Sequence, residues 1–96
     1  MMVLVSYDVS TKTASGVVRL RKIAELCVDY GLRVQDSVFE CNLDPADWEN
    51  LKDKLLKMYN AEEDSLRFYF LGSNWKRRVE HFGKSDVGDI EEPIIV

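Results

Sequence analysis

Met1-Met2-Val3-Leu4-Val5-Ser6-Tyr7-Asp8-Val9-Ser10 opens the chain and decides how the rest must be arranged. At a period of two, Val3, Val5, Tyr7 and Val9 share one face of a strand, and Met2, Leu4, Ser6 and Asp8 share the other. Apolar residues on both faces predict a central strand covered on both sides. Asp8 stands where that strand leaves the sheet, a rigid place from which to present a carboxylate. The remaining sequence has to supply the cover and the partners of this strand.

Two amphipathic segments supply cover. Leu20, Ile23, Ala24, Cys27 and Tyr30 recur at steps of three and four, which predicts a helix from about Ser15 to Tyr30 with Gly31 ending it. A polar loop, residues 10–16, joins it to the opening strand. Asp44-Pro45-Ala46-Asp47 is a helix start: a capping aspartate, a proline at the first position and an acid at the positive end of the dipole. The stripe Trp48, Leu51, Leu55, Met58 and Tyr59 carries this helix to about Tyr59. Lys52, Lys54 and Lys57 lie off it as solvated charges.

Further strands are expected at 32–42, where a bulge would accommodate apolar residues on both parities, and at 65–71. A more polar edge strand is expected at 75–82, after a Gly72-Ser73-Asn74 turn. The order predicts an α/β (α+β) ferredoxin-like βαββαβ sandwich, an antiparallel sheet with two helices on one face. Two helices leave the other face bare. A homodimer packed through the sheet faces is therefore expected. Residues 1–83 form the expected domain. Residues 84–96 are an acidic connector ending in Pro93-Ile94-Ile95-Val96, read as a short strand that pairs with an edge of its twin or of a partner.

At 96 residues, 46% apolar and 31% charged, the chain suits one globular domain. No apolar run is long enough to span a membrane and no signal peptide is recognisable, so a cytoplasmic protein is expected. Cys27 and Cys41 match no zinc spacing, and His81 is the only histidine. The net charge of −4 conceals local basic clusters at Arg19-Leu20-Arg21-Lys22 and Lys76-Arg77-Arg78. There is no phosphate-binding glycine loop and no nucleophile elbow. Asp8 is what remains for catalysis. On a two-fold axis two copies of it would converge and recruit magnesium, with Arg19 close enough to hold a phosphate. Equally, Asp8 can close an Asx turn into the Ser10-Thr11 loop.

Three stretches resemble the CRISPR-associated adaptation nuclease family, Cas2: Val3-Leu4-Val5-Ser6-Tyr7-Asp8-Val9, Arg19-Leu20-Arg21-Lys22-Ile23-Ala24, and Tyr30 through Glu40. Ser65-Leu66-Arg67-Phe68-Tyr69-Phe70-Leu71 is a weaker fourth, so the similarity runs from about Met1 to Gly83. The resemblance implies a magnesium-dependent (alternatively manganese-dependent) endonuclease acting on double-stranded DNA or RNA. It implies a homodimer in which each chain contributes Asp8 to a shared catalytic metal site. Arg19, Arg21, Arg33 and Phe39 fall on family positions tied to substrate or activity, and Lys76, Arg77 and Arg78 join them as nucleic-acid contacts. The implied partner is the adaptation integrase, Cas1, with which the family captures new spacers in antiviral defence. The alternatives are a catalytically idle dimer that bridges the integrase and binds duplex DNA, and a small-ligand regulatory module on the same fold.

Overall fold

The computed structural model describes residues 1–72 and 79–84. Strand β1 (Met2–Asp8) leads through a polar loop into α1 (Ala14–Val28). Strands β2 (Leu32–Gln35) and β3 (Val38–Asn42) follow, then α2 (Pro45–Met58), β4 (Ser65–Phe70) and β5 (Val79–Gly83). Among the described residues all pairings are antiparallel and the sheet order is β2-β3-β1-β4-β5. The first four strands have the ferredoxin-like order, and β5 adds an edge beside β4. The opening strand is thus central, as its apolar pattern requires.

The side-chain parity of β1 fixes the layers. Val3, Val5, Tyr7 and Val9 are buried together with Phe39 and Cys41 of β3 and Leu66, Phe68 and Phe70 of β4. Ile23 and Cys27 of α1 and Trp48, Leu51 and Leu55 of α2 close this core from one side. Each large side chain so buried contributes about 1.5–3 kcal/mol. Trp48 meets Phe68 and Phe70 edge-on, ring centres 4.9 and 5.3 Å away, so one indole locks α2 onto β4.

Both helices begin on side-chain caps. Thr13 accepts from the N–H of Gly16, and Asp44 accepts from that of Asp47 with Pro45 at the first position. The end of α1 passes close to β3. A Cβ on Gly31 would stand 2.5 Å from both Cys41 Sγ and the Glu40 carbonyl, so no side chain fits there. This close approach, rather than a left-handed turn, accounts for the glycine.

Two expectations change. The strand predicted over 32–42 is a hairpin, β2 and β3 joined through Asp36 and Ser37, with the register slipping between Arg33 and Gln35. The slip is what placed apolar residues on both parities. The outer face of the sheet is also more mixed than predicted. Met2, Leu4, Val38, Tyr69 and Val79 share it with Ser6, Glu40, Arg67 and His81. The expected turn at residues 73–74, the strand's first residues at 75–78 and the terminal strand at 93–96 lie outside the described residues.

Candidate active site

Asp8 is the last residue of β1 and faces Ser65 of β4 across the ladder. It shares the outer face with Leu4 and Ser6, away from the helices. It is exposed, and among the described residues its carboxylate has no hydrogen-bond or ion-pair partner. The Asx turn that the sequence also allowed does not form. The Ser10 N–H donates to Oδ1 of Asp64 instead, at 3.1 Å.

Around Asp8 opens a cleft of about 520 Å³. Its walls are Val9 to Thr13 from the loop, Glu62 and Glu63 from the turn before β4, Ser65, and Lys84 just beyond β5. The cleft offers the unspent carboxylates of Asp8 and Glu62, two lysines and several hydroxyls. Among the described residues no group of three or more His, Cys, Asp or Glu side chains is placed to hold a metal ion. Magnesium is commonly held by one or two carboxylates with water and phosphate oxygens filling its remaining positions. Asp8 from one chain, or from two, fits that requirement.

Behind the cleft lies a carboxylate that the sequence did not single out. Asp64 is fully buried. Arg19 donates to it through Nε at 2.6 Å and Nη2 at 3.0 Å, a bidentate pair, and Nη2 also reaches Glu63 at 3.3 Å. The Asn60 N–H adds a bond of 2.9 Å. Burial pushes the Asp64 carboxyl up, but the Arg19 hydrogen bonds and the two backbone N–H groups outweigh it and hold the pKa below the ordinary value. The hydrogen bond to Asp64 raises the Arg19 pKa in turn. Asp64 was concealed in the run Glu62-Glu63-Asp64, where composition suggests only a solvated acidic turn. The available signal was an acid directly preceding a strand, four residues after an asparagine.

The structure separates the other candidates. Arg19, expected to meet phosphate, is 13% exposed and spent on Asp64 and Glu63, so its guanidinium is an internal tie rather than a free contact. Phe39, expected at the substrate, is fully buried, because its parity points it to the helices. Arg33 lies over the Phe39 ring, 5.2 Å from its centre, and donates to the Asp36 carbonyl at 3.2 Å. It braces the hairpin, and Tyr7 stacks on Phe39 with ring centres 6.2 Å apart. Burial raises the Tyr7 phenol, partly offset by a hydrogen bond with Arg33. Arg21 is open, its side chain 61% exposed and only loosely paired with Glu25 at 3.8 Å. Lys76, Arg77 and Arg78 lie outside the described residues. Cys27 and Cys41 are unpaired and buried, their thiols pushed up to about 12 and about 11 by burial, so neither is a nucleophile at neutral pH.

A family model described as CRISPR associated protein Cas2 matches residues 1–79. A Chlorobaculum tepidum protein named CRISPR-associated endoribonuclease Cas2 is 57% identical over 96 residues, with both chains covered in full. One from Halalkalibacterium halodurans named CRISPR-associated endonuclease Cas2 is 48% identical over 95 residues, covering 99% of each chain. The crystal structure of Streptococcus pyogenes Cas2 at pH 6.5 superposes with a TM-score of 0.70 at 57% identity, covering 83% of this chain and 96% of that one.

Proposed function

The chain belongs to the CRISPR-associated Cas2 family, and from that premise we propose that it is a metal-dependent endonuclease whose catalytic residue is Asp8. The observation that carries this reading is the unpartnered, exposed Asp8 carboxylate at the end of the central strand, facing an open cleft. Its relatives are named both endoribonuclease and endonuclease, so RNA and double-stranded DNA are both candidate substrates.

In this reading Asp8 would hold the metal at the mouth of the cleft. When bound, magnesium polarises the phosphodiester and supplies a hydroxide nucleophile at neutral pH. Lys12 and Lys84 bring positive charge to the same cleft, where the flanking phosphates would pass. The outer sheet face, carrying Leu4, Val38 and Tyr69, is the surface through which two chains would pair and bring two Asp8 residues together. We assign the protein a cytoplasmic role in spacer acquisition beside the integrase Cas1, on family membership alone. Among the described residues no helix is long and apolar enough to cross a membrane.

One feature favours a second reading, the idle bridging dimer. Among the described residues no cluster of three metal-ligating side chains forms at the cleft, a sparse set for hydrolysis. Labelled duplex DNA and single-stranded RNA decide between them, with the native chain and Asp8→Asn compared with and without magnesium. Cleavage that requires both Asp8 and magnesium supports the nuclease. Salt-sensitive binding with no cleavage by either chain supports the bridge. Absence of salt-sensitive binding removes both and leaves a small-ligand module.

A further inference from the structure

We propose that Asp64 is the positioning residue of this cleft: it fixes the loop that follows Asp8 and thereby sets where the Asp8 carboxylate stands. The effect on turnover rests on the catalytic reading of Asp8; the effect on geometry does not.

The walls of the cleft come from separate parts of the chain, and each is tied to this residue. Oδ1 of Asp64 accepts from the Ser10 N–H and Arg19 Nη2, at 3.1 and 3.0 Å. Oδ2 accepts from the Asn60 N–H and Arg19 Nε, at 2.9 and 2.6 Å. Each oxygen therefore takes two donors. The backbone is equally engaged. Asp64 N–H donates to the Asn60 carbonyl, closing the turn that carries Glu62 and Glu63, and its carbonyl accepts from the Lys84 N–H, both at 2.8 Å. The chain can approach that carbonyl only because residue 83 is glycine. Gly83 has φ +99°, and a Cβ there would collide with it. The residue after Asp64, Ser65, is the ladder partner of Asp8. One residue thus holds the loop after Asp8, the strand opposite it and the far wall beyond.

A stabilising role alone accounts poorly for this arrangement. Buried ion pairs are often no better for stability than apolar side chains of similar volume. What an apolar residue cannot do is accept from four donors that converge from three segments. Arg19 then has a clear part: its fork spans both oxygens and leaves each oxygen free to accept once more, from Ser10 and Asn60, which a single ammonium cannot reproduce.

The test compares the native full chain with Asp64→Asn, Arg19→Lys and the pair Asp64→Asn with Arg19→Gln. Backbone amide spectra and magnesium-dependent kinetics are recorded well below every melting temperature. In Asp64→Asn the amides of Asp8 through Thr13 should shift and broaden while those of Val5 and Phe68 in the core hold. Turnover should fall about tenfold or more with KM for the nucleic acid nearly unchanged, the signature of a misplaced group rather than lost binding. The paired variant relieves the unmatched guanidinium charge but still sets an amide NH2 against the Ser10 or Asn60 N–H, so spectrum and turnover should stay displaced, and their full recovery would overturn the proposal. If Asp64→Asn does not fold, Arg19→Lys, which keeps the charge, is judged on the same two readouts. Unmoved amides at Asp8 through Thr13, or native turnover despite moved amides, would overturn the proposal. If the native chain cleaves nothing, the catalytic reading of Asp8 fails, while the amides still judge the positioning.

Discussion

Asp8 and Asp64 are two aspartates placed in opposite environments by neighbouring strands. Asp8 is exposed and unpartnered, so replacing it removes no packing. Asp8→Asn is expected to abolish metal-dependent cleavage while shifting folding stability by no more than about 0.5 kcal/mol, as urea unfolding will show. Asp64 is the reverse: removing it strands a guanidinium. Asp64→Ala is expected to cost about 3–5 kcal/mol in the same assay. Its protonation carries a further consequence. The folded-state pKa lies below the ordinary value of 3.8, so the unfolded chain binds the proton more tightly. The stabilisation from this carboxylate is therefore complete above that value and drains away as pH falls below it. Native stability measured from pH 6 downward should hold and then decline in that acid range. Arg19→Lys should flatten the decline, since it weakens the bond that lowers the pKa.

Elements built on a clean period were legible in the sequence. The stripes of α1 and α2 are buried in the core or packed against it, and the Asp44-Pro45 start of α2 falls where its chemistry places it. Trp48→Ala is expected to cost about 3–5 kcal/mol by urea unfolding, since it vacates the joint between α2 and two rings of β4. The hairpin was not legible. Asp36 and Ser37 carry no glycine or proline to announce a turn, and the slipped register makes two short strands resemble one long one. Arg19 and Phe39 show a related gap. The family resemblance singled them out, but only the parity of β3 and the burial of Asp64 reveal that both face inward. A functional position read from a strand can act through what it supports rather than what it touches.

At the level of the molecule, the helical layer covers one side of the sheet and leaves the other to solvent or to a second chain. Leu4 lies near the middle of that side, flanked in the ladder by Glu40 and Tyr69. If two copies pair there, Leu4→Arg will halve the sedimenting mass while leaving the fold intact by circular dichroism. Should the native chain sediment as a monomer, the shared metal site goes with the dimer, and a lone Asp8 has to serve.

The central place of β1 also bears on how the chain is made. Its ladder partners are Val38–Asn42 on one edge and Ser65–Phe70 on the other. This strand is therefore synthesised before either of its ladder partners. At about 5–20 residues per second, one edge of this apolar strand waits seconds for β3 and the other about twice as long for β4. Chaperone demand in the cell, and losses on rapid overexpression, should follow from that wait more than from the stability of the finished protein.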